Sequence, residues 1–140
     1  EEELKTQVRD LGITHKVSFL GMMDPADLPP LTVSAFAGIN VSENLGLSYF
    51  YSLNNKYFDY VHAGLPAITN PFPEYMALEE KYQCSVYATA SSLEIVKAVN
   101  LLLNDSDLYV KLKKNCVLAA QDLVWSNEEK TLLTVYEDIV

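Results

Sequence analysis

Asp59 and Lys56 are the two side chains whose types and places could do chemistry. A carboxylate can accept hydrogen bonds from two hydroxyls at once, as a ribose diol requires. Near the start of a helix the same acid could equally complement the helix dipole and nothing more, a role worth about 0.3–1 kcal/mol. Lys56 could pair with a phosphate, or be a solvated lysine that caps a neighbouring loop. His62 stands three residues beyond Asp59, on the same expected helix. A metal needs a second His or Cys at ligand spacing, so His62 reads as a packed or hydrogen-bonded histidine and His15 as a surface one. Cys84 and Cys116, with no C-x-x-C, read as reduced thiols within apolar patterns. There is no Ser-His-Asp or Cys-His arrangement, no G-x-G-x-x-G and no P-loop pattern.

The elements around these residues alternate in type. Leu4, Val8 and Leu11 predict a helix over 3–11, stopped by Gly12. A short strand is expected over 17–20, then Asp24 as cap and Pro25 as first residue of one helical turn. Pro29-Pro30 argues against a long helix there. Residues 35–41 read as a second strand, apolar on both faces as a buried parallel strand is. Residues 42–55 are the least regular part, rich in Ser, Asn and Tyr. A helix over 56–63 follows, capped by Asn54 or Asn55 and stopped by Gly64. A third strand is expected over 65–69, a rigid loop over 70–73, a helix over 74–82 and a fourth strand over 84–87. The tail reads as helical. Ser91 to Glu94 and Ser126 to Glu129 have the form of capping boxes, and Asp105 or Ser106 caps a long helix between them. Leu132, Tyr136 and Ile139 mark the last apolar stripe.

Strands alternating with helices predict an α/β fold: a Rossmann-like parallel sheet with helices on both faces. At 140 residues the chain suits one domain, and 49% hydrophobic content excludes global disorder. The net charge of −9, with Arg9 the only arginine, argues against a nucleic-acid partner. No apolar run approaches the ~20 residues that span a bilayer. The acidic start, Glu1-Glu2-Glu3, is unlike a signal peptide, so a cytoplasmic protein is expected. Four strands, with none before the first helix, make the sequence read as a piece whose missing part lies upstream. In open parallel sheets, ligands bind beyond the C-terminal ends of the strands. The loops that qualify are 21–25, 42–55, 70–74 and 88–91, and the second is the longest.

The stretch Lys56-Tyr57-Phe58-Asp59-Tyr60, followed by Gly64-Leu65-Pro66-Ala67-Ile68, resembles a signature of group 1 glycosyltransferases. Leu11-Gly12-Ile13 with Val17 to Gly21, the helix from Ile95 to Asp105, and Trp125 to Tyr136 are similar to further pieces of that family in the same order. The resemblance covers nearly the whole chain. It implies the C-terminal, nucleotide-sugar-binding domain of a GT-B fold, over residues 1–140, with the N-terminal acceptor domain absent. It further implies a nucleotide-diphosphate sugar as donor substrate, with no cofactor or metal. The acceptor would be a saccharide or a lipid-linked glycan, held by the other domain, which would also decide any contact with a membrane.

Residue by residue, the resemblance places Asp59 on the ribose hydroxyls and Gly21 and Met22 at the base. It places Gly46, Leu47 and Ser48 at the phosphates or sugar, and Lys56 near them. The family's E-x7-E motif is incomplete, since its first acid falls on Tyr51. No catalytic residue is assigned to this chain. The expected function is sugar transfer by the parent protein, with this fragment inactive alone, because the departing diphosphate needs charge that the missing loops supply. The alternatives are a nucleotide-sugar epimerase of the same fold and a non-catalytic binding domain. A receiver domain is excluded, because Asp24 stands alone and the third strand ends in Thr69-Asn70.

Overall fold

The architecture follows from a computed structural model that describes residues 1–137. Helix α1 (Glu2–Asp10) leads through short turns at Thr14–Lys16 and Pro25–Asp27 into α2 (Leu28–Ser34) and strand β1 (Gly38–Asn40). After one helical turn, α3 (Leu47–Phe50), come α4 (Asn55–His62), β2 (Ala67–Thr69), α5 (Pro73–Tyr82) and β3 (Ser85–Tyr87). Three helices close the chain: α6 (Ser92–Asn104), α7 (Ser106–Asp122) and α8 (Trp125–Glu137). Ile139, expected at the end of the last stripe, lies outside the described residues.

The strands form a parallel sheet in the order β1-β2-β3, with Ile39 opposite Ile68 and Ile68 opposite Val86. Alternate residues of β2 serve different cores. Ala67 packs with Tyr57 and Val61 of α4, Tyr75 of α5 and Cys84, whereas Ile68 packs with Ala98 and Leu102 of α6 and Leu112 of α7. Successive strand residues point to opposite faces, so helices cover β2 on both sides of the sheet, and the fold is α/β with a small parallel sheet.

Helix α7 joins the two cores, contributing Leu112 to one and Cys116 and Ala119 to the other. Its path is fixed by contacts just before each strand. The Tyr109 hydroxyl donates to the Phe36 carbonyl at 2.8 Å, ahead of β1. Cys116 Sγ approaches the Leu65 carbonyl ahead of β2 at 3.6 Å and the Cys84 carbonyl ahead of β3 at 3.7 Å. The helix therefore runs beneath the N-terminal ends of all three strands and leaves the opposite end to the loops. Both thiols are free and buried. The neighbouring Cys116 thiol first, and burial second, push Cys84 far above the usual thiol range, as suits inert core cysteines.

Several elements differ from expectation. Residues 17–20 form no strand: Phe19 and Leu20 are exposed, and no described strand lies beside them to complete a ladder. The sheet thus has three strands rather than four. Ile39 is 49% exposed, so β1 is not buried on both faces. As expected, no long helix forms at Pro29-Pro30; the two prolines lie in the first turn of the seven-residue α2, where N–H donors are not needed. Glu94 does not complete a capping box with Ser91. Its Oε2 instead accepts from the Thr89 N–H at 2.8 Å and the Thr89 hydroxyl at 2.6 Å. Helix α8 starts at Trp125, so Ser126 lies inside it rather than capping it. Leu132 and Tyr136 are exposed, because α8 buries none of its residues. Asp24, Asn54 and Asp105 do cap, accepting from Ala26 N, Lys56 N and Leu108 N.

Candidate functional site

The loop over 42–55 is tied to the sheet at both ends. At its start, Asn70 Oδ1 accepts from Ser42 N–H at 2.7 Å while Asn70 Nδ2 donates to the Ser42 carbonyl at 3.1 Å. This side chain, only 3% exposed, extends the ladder by one two-pronged pair beyond the last residue of β2. At the loop's end, the Tyr75 hydroxyl accepts from Asn54 N–H and from Asn40 Nδ2, each at 2.9 Å. Asn40 is the last residue of β1, so this bridge holds the start of α4 at the C-terminal end of the sheet. Gly46, at φ 146°, lets the chain turn into α3 where a side chain would be strained.

Helix α4 then runs down beside α2. Its capping by Asn54 fixes its first residue as Asn55, and Gly64, at φ 65°, ends it in a left-handed turn. Tyr57 and Val61 on one face are fully buried. The Tyr57 hydroxyl donates to Glu79 Oε1 of α5 at 2.7 Å, and Glu79 Oε2 accepts from Ser85 N–H of β3 at 2.8 Å. Burial first, and the Glu79 carboxyl second, hold the Tyr57 hydroxyl far above the usual phenol range. This buried chain of partners ties α4, α5 and the start of β3 together.

The other face of α4 forms one wall of a groove of about 840 Å³. Lys56, Asp59 and His62 line that wall, with Pro25, Leu28, Pro29 and Val33 opposite. Residues three apart lie on one helix face, about 4.5 Å apart along the axis. Phe58 and Ala63 also line the α4 side and Thr32 the α2 side, so the charged groups all lie on α4 while the α2 wall is mainly apolar. His62 Nε2 sits 2.8 Å from the Leu123 carbonyl, which fixes the ring at the lower end. Tyr60 lies at the groove's edge with its hydroxyl 3.3 Å from the Ile39 carbonyl. Burial, then the adjacent Asp59 charge, raises its pKa above the usual value.

The expected site residues separate into groups. Asp59 and Lys56 share the groove and are exposed there. Asp59 is not at the start of its helix: Asn54 caps ahead of it, so Asp59 is the fifth residue, in the second turn. That distance from the terminus weakens the reading as a dipole partner, which falls off beyond the first turn. Gly46, Leu47 and Ser48 open α3 and are exposed, but they do not line the groove; neither do Tyr51, Gly21 and Met22. Of the two expectations for His62, packed or hydrogen-bonded, the second holds: the ring is exposed and bonded to the Leu123 carbonyl. Sequence reasoning missed the α2 wall and the brackets made by Asn70 and Tyr75. Their only signal was an abundance of Asn and Tyr around strand ends. A comparison with known protein families finds no match to this chain, and a comparison with characterised proteins finds none either.

Proposed function

We propose that the groove between α2 and α4 takes the nucleoside part of a nucleotide-diphosphate sugar, as the donor site of a sugar-transferring enzyme. The observation that carries this reading is the joint placement of Asp59 and Lys56 on one wall of that groove, facing apolar residues of α2. A carboxylate there suits a ribose diol, and an apolar wall suits the flat face of a base. Lys56, about one turn nearer the start of α4, supplies a positive charge for a phosphate. The resemblance in the sequence points to the same donor class and to Asp59 in the same role.

A second reading, a binding domain without catalysis, rests on another observation. Asp59 is the only carboxylate lining the groove among the described residues, so the groove itself holds no pair of carboxylates to divide acid and base roles. Titration calorimetry with UDP-, GDP- and ADP-sugars tests the binding step. Heat with at least one donor, weakened at least about tenfold by Asp59→Asn, is expected. Silence across the panel, or equal binding by the variant, would remove the proposal. Donor hydrolysis or transfer assayed on the same samples separates an enzyme from a binding domain.

A further inference from the structure

Tyr60 occupies an unusual place on α4. At about 100° per residue, it falls between the buried pair, Tyr57 and Val61, and the groove pair, Lys56 and Asp59. Its ring lies on Gly38 of β1 so closely that a Cβ at residue 38 would overlap Tyr60 Cδ2 and come within 2.5 Å of Cε2 and Cγ. Its hydroxyl reaches the next carbonyl along β1, that of Ile39, at 3.3 Å. A missing side chain on the strand and an aromatic ring on the helix are thus matched in shape. The ring is the spacer that sets how closely α4 approaches β1 and how it is rotated about its own axis.

We propose that Tyr60 is the positioning residue of the groove: laid on Gly38, it fixes the rotation of α4 and thereby aims Asp59 and Lys56 at the occupant. This rests on the reading of the groove as a donor site. Asp59 adjoins Tyr60 in the chain, so any turn of the helix that follows loss of the ring carries the carboxylate with it. The hydroxyl bond is long and secondary, and the ring on the glycine is the larger part of the device.

The test uses Tyr60→Phe, Tyr60→Leu, Gly38→Ala and the double variant Gly38→Ala/Tyr60→Leu, with the panel of UDP-, GDP- and ADP-sugars as probes. Tyr60→Phe is expected to bind the donor within about threefold of the wild type, and Tyr60→Leu at least about tenfold more weakly. Amide spectra of Tyr60→Leu should show a folded protein with shifts gathered at Lys56, Asp59 and His62. The double variant should be less destabilised than the sum of the single ones, since the new methyl no longer meets a ring. Unchanged donor affinity in a folded Tyr60→Leu, or strictly additive destabilisation, overturns the inference and leaves the donor site standing. Should the wild type bind no donor, the donor reading fails by itself. The double variant and the amide shifts then decide the positioning role, and an absence of shifts at Asp59 ends it.

Discussion

Substitution of Glu79 probes a buried constraint on α4. Its carboxyl is 8% exposed and takes two donors, the Tyr57 hydroxyl and the Ser85 amide. Tyr57 is fully buried, so no water replaces a lost partner there. An unsatisfied buried donor costs about 1–3 kcal/mol. Glu79→Ala strands both donors and should destabilise the fold by about 2–6 kcal/mol, a large part of the roughly 5–15 kcal/mol that holds a domain together. Glu79→Gln is the sharper perturbation. It keeps the shape and one acceptor oxygen but turns an NH2 group toward the other donor, at a cost of about 1–3 kcal/mol. If that conflict lies at Tyr57, adding Tyr57→Phe removes the opposing donor, and the pair should be less than additive by about 1 kcal/mol. Urea unfolding measures this as a shift in midpoint at constant slope. A Glu79→Gln protein within about 0.5 kcal/mol of the wild type, at the same slope, would refute the reasoning.

Three further outcomes follow from other contacts. Asn70→Ala should release the start of the loop over 42–55 and speed hydrogen exchange of the Ser42 amide at least about tenfold, with little change at Ile68; equal protection would show that the side chain is not the latch. Gly64→Ala should cost about 1–2 kcal/mol from its left-handed backbone alone, because the new Cβ would meet only Val117 Cγ2 at an ordinary 3.5 Å. Gly64→Asn should cost less, and the reverse ranking in thermal unfolding would contradict this account. Hydrogen bonds from the Thr89 hydroxyl and amide hold the Glu94 carboxyl below its ordinary 4.5. Its contribution is therefore present above that value and lost as the pH falls through the lower folded one. Glu94→Gln should flatten the stability profile in that acidic window, and a profile parallel to the wild type would count against it.

The sequence exposed the alternation of elements because that signal is local. Caps at Asp24 and Asn54, the stop at Gly64 and the strand around Ile68 all depend on a few neighbouring residues. Residues 17–20 have strand chemistry, but a strand also needs a partner, and no local pattern reports one. Glu94 illustrates the same limit, since its spacing from Ser91 suits a box while a better pair of donors stood at Thr89. Within the groove, Asp59 and Lys56 could be nominated from type and position. The wall they face could not, because Leu28 and Val33 look like ordinary core residues until α2 is seen lying beside α4. Gly38 was equally silent: a glycine in a strand does not announce which ring will cover it.

Helix α7 works like a joist under floorboards. With Tyr109 and Cys116 fastening the near ends of the strands, the far ends can carry loops of different length without loosening the base. Segments grafted between Ser42 and Asn54 should thus be accommodated as long as Asn70 and Tyr75 remain to receive their two ends and Phe50 and Leu53 keep their places on the core. The molecule is in this sense a platform with an exchangeable rim, open to redesign from above and closed to it from below.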